Sequence, residues 1–578
     1  MKATINNKIG LRTLIVGFMV SVFLAIIGAR AVYLQVYCSS WLSQKAANQY
    51  AGSFIRHEKR GTIYDTNYKE LAVSVKVTSI AAYPPDILDA SATAGSLAKT
   101  LAINKKKLEK KISSKKSFVW IKRHVTPKET KAVRMLNLKG IGFIPEHSRF
   151  YPNKMLAAQV IGFAGIDGRG LEGIEFQYDA YLNGADGKFT VLKDAFGRGF
   201  DTEKEMLPDY KGNNLIITID RTIQYVAEQA LEEAVKGFSA KSGIAIVMVP
   251  KTGAILAMAH VPFFNPNSFN SFNRKLWRNR AITDQFEPGS IMKLFSAAAA
   301  IESGDCSLNS IFFCENGAYK IGNNIIHDTS SHGWLSLKHI VKYSSNIGIV
   351  KVTEQLGTAS LYKMLRDFGF GAKTGIDCPG ETAGSLAHYK QWTKIDASAI
   401  SFGQGVSTSA IQLISATCAI ANKGILMHPY IVQAITDKDG RIIKSFGARE
   451  IRRVVSPATT DKIKKMMRSV IHEGGTGVKA ALKGYSICGK TGTAQKIDKN
   501  GLYAKDKYIA SFIGFVPVDN PEVAILVVVD EPAENHYGGV VAAPAFKKIA
   551  YETMNYLSIP PDQKIHEFTV AIQNEAKG

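Results

Sequence analysis

The sequence predicts an α+β protein in which one N-terminal membrane helix carries a domain of short apolar runs and then a larger domain, built on an antiparallel sheet with an inserted helical subdomain. Three observations point there: one charge-free apolar run starting at residue 14, strand-like segments near 243–259 and again near 485–529, and a mostly helical block between them. Strands at both ends of such a region close into one sheet drawn from two halves of the chain. With 578 residues, 46% hydrophobic, 10% aromatic and 21% charged, the chain has ordinary globular composition and length for roughly four folding units. A mainly disordered or fibrous chain is excluded.

Taken in chain order, the first element is the apolar run Leu14–Ala29, which resumes past Arg30 from Ala31 to Tyr37. With Arg30 snorkelling at an interface, residues 13–37 are long enough to span a bilayer. Lys2, Lys8 and Arg12 precede the run, so the positive-inside rule leaves 1–12 as a cytoplasmic tail and sends the chain after about residue 38 outside, a type II topology. A cleaved signal peptide is the competing reading, since Ala29-Arg30-Ala31 loosely fits a cleavage site. The long apolar core and the Arg inside that site favour an uncleaved anchor. Placement outside the membrane excludes nucleic acid and cytosolic ATP as partners. The balance of 72 Lys and Arg against 49 Asp and Glu, net +23, suits anionic surfaces or polymers without choosing between them.

Residues 45–215 read as a separate domain of short apolar runs, containing a basic stretch from Lys99 to Arg134 with thirteen Lys/Arg against Glu109 and Glu129. Solvated faces of short helices are the expected explanation; docking to anionic lipid or wall polymer is the alternative. The polar, Pro/Gly-punctuated segment 200–213 reads as a linker. Beyond it, 216–557 form the larger domain and 558–578 a C-terminal tail. Leu215–Ile219 reads as a strand and Thr222–Val235 as a helix. Gly243–Val249 and Ala254–Ala259 form a hairpin around Pro250-Lys251-Thr252-Gly253. The signals from 290 to 425 are helical or loop-like, and Tyr485–Gln495, Tyr508–Val516 and Val523–Val529 return to strand.

The cysteines at 38, 306, 314, 378, 418 and 488 show no zinc-like spacing, so no metal site is expected. Cys306 and Cys314 are close enough in sequence to pair, although buried free thiols are the plainer reading.

The chemistry concentrates in three short motifs. Ser290-Ile291-Met292-Lys293 follows Pro288-Gly289 and opens an Ala-rich helical run. Ser290 therefore sits near a helix start, where an anion is favoured, with Lys293 one turn on as its candidate base. Ser344-Ser345-Asn346 offers a hydroxyl to relay a proton and an amide to hold a peptide. Lys490-Thr491-Gly492-Thr493 lies in a strand-like run where Gly492 is expected to leave the strand edge open to close approach. Each pattern alone is weak. Ser96/Lys99, Ser113/Lys116 and Ser360/Lys363 repeat S-x-x-K, and Lys-Thr-Gly recurs at 251–253 and 373–375.

Order and spacing decide the matter: in sequence these three motifs closely resemble those of the penicilloyl-serine transferases, specifically class B penicillin-binding proteins, and among them the cell-division transpeptidases. The resemblance extends through Arg60-Gly61-Thr62-Ile63-Tyr64-Asp65, Leu71-Ala72-Val73-Ser74-Val75, Gly170-Leu171-Glu172, Arg278-Asn279-Arg280-Ala281-Ile282-Thr283-Asp284, Gly403-Gln404-Gly405 and Tyr537-Gly538-Gly539. It implies a penicilloyl-serine transferase (β-lactamase-like) domain behind an elongated mixed α/β, non-catalytic pedestal, acting as a septal peptidoglycan D,D-transpeptidase that binds penicillin covalently. By that resemblance Ser290, Lys293, Ser344 and Lys490 are catalytic, Asn346, Thr491, Gly492 and Thr493 bind substrate, and the backbone N–H groups of Ser290 and Thr493 form the oxyanion hole. Donor and acceptor stem peptides, a SEDS-family glycan polymerase and other divisome membrane proteins are the implied partners, at the cytoplasmic (inner) membrane with the catalytic domain periplasmic. No metal or organic cofactor is implied. The rivals are a D,D-carboxypeptidase or β-lactamase of the same fold and a non-catalytic β-lactam sensor or scaffold. For hydrolysis the nearest candidate base is Glu381, but position 385 is Ser where class A β-lactamases carry Asn.

Overall fold

The computed structural model describes residues 2–56, 59–183, 187–192, 212–498 and 501–563. The greater part of the expected linker at 200–213 and the end of the C-terminal tail lie outside these. The N-terminal helix runs Lys2–Val32 and continues through Tyr33–Tyr37. Within it Thr13–Tyr37, 25 residues of mean hydropathy 2.3 with none buried, is long and apolar enough to cross a membrane.

The chain divides into two compact units: 1–58 with 77–146 and 185–210, and 59–76 with 147–184 and 211–578. In the first, the end of strand Glu70–Ala82 pairs antiparallel with Val119–Val125, and helices Ala90–Leu101, Lys105–Ile112 and Pro127–Met135 bury Leu97, Leu101, Leu108, Ile112 and Val133 against it. Asp89 and Asn104 cap the first two helices and Thr126 with Glu129 forms a capping box on the third, each supplying acceptors for otherwise orphaned N–H groups.

The second unit takes in residues 59–76 and 147–184, which the sequence reading had grouped with the preceding domain. Their contacts explain it. Tyr151 N–H donates to Asn267 Oδ1 (2.9 Å), Ala157 N–H to Glu228 Oε1 (2.8 Å) and Tyr178 O–H to Asp377 Oδ2 (3.0 Å). Its centre is a five-stranded antiparallel sheet of β1 (Ser242–Met248), β2 (Ile255–Val261), β3 (Cys488–Ile497), β4 (Tyr503–Val516) and β5 (Val523–Asp530), in the order β3-β4-β5-β1-β2. Strands from both ends of the region thus share one sheet, as expected. In β1, Ile244, Ile246 and Met248 enter one core cluster and Ala245 and Val247 the other. Burial on both faces explains why β5 reads Val-Ala-Ile-Leu-Val-Val-Val without alternation.

One face is covered by α1 (Arg221–Gly237) and α6 (Ala543–Tyr556), the other by a helical subdomain that includes α2 (Lys293–Glu302), α3 (Asn346–Leu356), α4 (Ala410–Ala421) and α5 (Pro457–Ile471). Within the stretch read as helix and loop the structure also has two small hairpin sheets, Ile311–Phe313 with Trp334–Ser336 and Ala318–Ile321 with Asn324–His327. They are three or four residues long and largely exposed, too short for a period-2 signal.

Candidate active site

Pro288-Gly289 brings Ser290, the candidate nucleophile, to the sheet. Gly289 has φ +54°, and a Cβ there would lie 2.6 Å from Thr493 O of β3. Its N–H donates to Gly403 O (3.1 Å), and Gly403 has equally little room, since its own Cβ would meet Gly289 O at 2.1 Å. Only glycines allow this approach. Ser290 therefore sits in the 3₁₀ turn Gly289–Ile291 that leads into α2, beside β3, an edge strand of the sheet.

Lys293, fully buried at the start of α2, gathers the second motif around its amine. Nζ lies 3.1 Å from Ser290 Oγ, 3.2 Å from Ser344 Oγ, 2.5 Å from Ser344 O and 2.7 Å from Asn346 Oδ1. Ser344 holds a left-handed backbone (φ +62°) at the end of helix Leu337–Tyr343, an uncommon conformation for a residue with a Cβ. It persists because its neighbours are fixed. Ser345 Oγ caps α3 by accepting from Gly348 N–H (2.9 Å) and donates to Asp328 Oδ2 (2.5 Å). Asp328 also accepts from the N–H groups of Asn346 and Ile347. Asp328 was not legible as a site residue, because it follows a short exposed hairpin with no motif around it.

From the third motif, Lys490 is fully buried on β3, and its Nζ reaches Ser344 Oγ at 3.0 Å and Thr491 Oγ1 at 3.3 Å. Thr491 Oγ1 in turn lies 2.8 Å from Thr476 Oγ1, on the glycine-rich segment Gly474–Gly477. A continuous hydrogen-bonded path therefore runs from Ser290 through Lys293, Ser344, Lys490 and Thr491 to Thr476. Thr493 Oγ1 accepts from Gly538 N–H (3.3 Å). Gly492 is closely approached, by side chains of the fold itself: a Cβ there would meet Ser511 Oγ at 2.3 Å and Ile291 Cδ1 at 3.0 Å, so its absent side chain makes room for the Gly289–Ile291 turn and the neighbouring strand.

Burial pushes Lys293 down to about 7, against the pull of Asp328. Lys490 is held well below an ordinary lysine by burial and by the neighbouring Lys293 ammonium. Two amines sharing one hydroxyl in a dry site do not both keep their third proton at neutral pH. Burial is the leading cause for Lys293, and the depression extends to both amines.

These side chains open onto a cavity of about 650 Å³ lined by Ser290, Ser344, Asn346, Thr491, Thr493 and Gln404, among others. Among the described residues no Asp or Glu side chain lines it. Glu381 is engaged elsewhere, accepting from Thr374 N–H (2.6 Å), Thr374 O–H (2.5 Å) and Gly375 N–H (3.0 Å). That accounts for the Lys-Thr-Gly copy at 373–375 as a loop. The copy at 251–253 is the turn of the β1–β2 hairpin, with Lys251 paired to Glu522. Of the other S-x-x-K matches, Lys363 pairs with Asp367 and the two before residue 120 belong to the other compact unit.

Comparison with known proteins identifies the family. The penicillin-binding protein transpeptidase domain matches residues 243–551, and the penicillin-binding protein dimerisation domain residues 56–217. The chain is 36% identical to the probable peptidoglycan D,D-transpeptidase PenA of Neisseria gonorrhoeae, over 94% of this chain and 92% of that one. It is 33% identical to the peptidoglycan D,D-transpeptidase FtsI of Escherichia coli, over 93% and 90%. The crystal structure of penicillin-binding protein 3 from Mycobacterium tuberculosis in complex with aztreonam superposes with a TM-score of 0.69 at 28% identity, covering 89% of this chain and 99% of that one. With a dimerisation domain ahead of a transpeptidase domain, and relatives of the FtsI and penicillin-binding protein 3 type along nearly its whole length, the chain belongs to the class B penicillin-binding proteins, the serine D,D-transpeptidases.

Proposed function

We propose that the protein crosslinks peptidoglycan at the division septum, with Ser290 as the nucleophile that also takes up penicillin. The observation that carries the reading is the convergence of Ser290, Lys293, Ser344 and Lys490 on one hydrogen-bonded path, 3.0 to 3.2 Å per step, at the floor of a cavity.

Neutral Lys293 takes the Ser290 proton as Oγ attacks the penultimate D-alanine carbonyl of a donor stem peptide. The oxyanion accepts hydrogen bonds from the backbone N–H groups of Ser290 and Thr493, which favour the charge only as it develops. The proton passes from Lys293 through Ser344 to the departing D-alanine amine, so collapse leaves an ester on Ser290 and free D-alanine. Thr491, Thr493 and Lys490 hold the terminal carboxylate, and Asn346 holds the donor peptide while positioning the Lys293 amine. An acceptor amine then attacks the ester along the reverse proton route and restores Ser290. Among the described residues no carboxylate lines the cavity, so the glutamate base by which class A β-lactamases activate water has no counterpart there, which supports transfer over a β-lactamase reading.

The apolar helix is a single-pass anchor with the N-terminus cytoplasmic and the catalytic unit periplasmic, which Lys2, Lys8 and Arg12 support. A SEDS-family glycan polymerase and other divisome membrane proteins are its partners. Incubation with a stem peptide ending in D-Ala-D-Ala and an amine-bearing acceptor peptide tests the activity: the reading predicts crosslinked dimer over trimmed monomer, and trimmed monomer alone would make the protein a carboxypeptidase. Depletion in cells tests the septal role, with filaments expected and rounded cells contradicting it.

A further inference from the structure

The basic stretch from Lys99 to Arg134 has no part in the catalytic site, and it folds into a defined layer. Helices Ala90–Leu101, Lys105–Ile112 and Pro127–Met135 turn their apolar side chains onto Ile80, Ala82, Ile121 and Val125, and the first helix packs against both others. Away from their apolar side chains these helices expose cations: Lys106, Lys107 and Lys110 on the second helix, with Lys111, whose Nζ lies 3.5 Å from Trp120 O, and Lys128 and Lys131 on the third. Of the thirteen Lys and Arg in the stretch, only Lys122 and Arg123 make ion pairs among the described residues, with Glu129 and Glu146. Like charges one turn apart, such as Lys106 with Lys110 and Lys107 with Lys111, repel unless an anion lies over them.

Two large apolar side chains stand in solvent on the same unit, Leu88 (93% exposed) and Met135 (74% exposed). They lie on segments that adjoin, since a Cβ on Gly140 would touch Ile87 Cγ1 at 2.6 Å. A soluble polyanion would answer the lysines and leave Leu88 and Met135 in water. The boundary of a bilayer answers both, with lipid phosphates for the cations and acyl chains for the apolar tips. The compact unit that carries this face also contains the apolar helix Thr13–Tyr37.

We propose that this helical face is a membrane-docking surface that binds anionic phospholipid headgroups of the bilayer in which the chain is anchored. The proposal rests on the reading of Thr13–Tyr37 as a membrane anchor, which co-elution of the full chain with nanodiscs tests separately. With the photoreactive benzoylphenylalanine in place of Leu88, full-length protein is placed in nanodiscs of phosphatidylcholine alone or with one-third phosphatidylglycerol, irradiated, and its lipid adducts counted by mass spectrometry. The expected result is about tenfold more adduct in the anionic discs, falling to the phosphatidylcholine level in high salt and in the triple variant Lys106→Glu, Lys110→Glu, Lys111→Glu. The corresponding Gln variant, with an unchanged circular dichroism spectrum, guards against misfolding. Equal adduct in both discs, or an unaffected triple variant, would overturn the proposal. So would soluble polyglycerol phosphate that binds the protein in phosphatidylcholine discs and abolishes lipid adducts in the anionic ones, because the surface would then be a polymer site.

Discussion

In the proposed mechanism Lys293 is the base, and a buried amine pushed down to about 7 is close to half neutral at neutral pH, where an ordinary lysine is almost wholly charged. Only the neutral form accepts the Ser290 proton, so the acylation rate constant should rise with pH and level off above an apparent value near 7 that belongs to the Lys293–Lys490 pair. Stopped-flow acylation by a chromogenic cephalosporin between pH 5 and 9 checks this; a rate flat across that range, or one falling as pH rises, would remove Lys293 as the base. Glu381 makes the opposite case. Its three hydrogen bonds fold the 374–375 loop, so Glu381→Ala should lower stability by about 1–3 kcal/mol and leave the lifetime of the penicilloyl adduct unchanged. A Glu381→Ala protein that traps an otherwise short-lived adduct would instead mark the chain as a hydrolase.

At the scale of elements, the nucleophile turn and strand β3 are held together by missing side chains, and a methyl group should separate them. Gly492→Ala puts a Cβ against Ser511 Oγ and Ile291. It should cut acylation at least about tenfold, following a cost of 1–3 kcal/mol for overpacking, with partial recovery in Gly492→Ala/Ser511→Ala. Full activity in the single variant would show that this contact does not set the position of Ser290. Arg60 belongs to another element pair. It is 3% exposed and bonds Glu175 through Nε (2.6 Å), the Glu175 carbonyl through Nη2 (2.7 Å) and Asp179 through Nη1 (2.5 Å), while Arg149 holds the other Glu175 oxygen at 2.6 Å. Arg60→Ala leaves the buried Glu175 with one cation, a loss of about 3–5 kcal/mol visible as a lower midpoint of thermal unfolding. The acylation rate of the folded fraction should stay nearly unchanged, because no group of this network lines the cavity. All four residues lie within 45–215, the stretch that the sequence reading grouped as one domain, and within the 56–217 matched by the dimerisation domain.

For the molecule as a whole, the features legible in the sequence were those written in local order. The apolar span at 13–37, the five central strands and the Ser290, Ser344 and Lys490 motifs each carry their signal within a few residues, so their existence could be read before their arrangement. What could not be read depends on approach in space. Asp328 fixes the Ser344 turn from a different segment, Thr476 reaches Thr491 from another, and Ile291 and Ser511 close on Gly492 from two more. Glycine density at Gly474–Gly477 was the one available hint to Thr476. The central claim is that one serine out of several S-x-x-K candidates forms the acyl-enzyme, and it is tested most directly by incubating the full-length protein with benzylpenicillin, measuring intact mass and mapping the adduct. The account predicts one penicilloyl group per chain, on the peptide carrying Ser290, persisting for many minutes and absent in Ser290→Ala; an adduct on Ser96, Ser113 or Ser360, or none on folded protein, would contradict it.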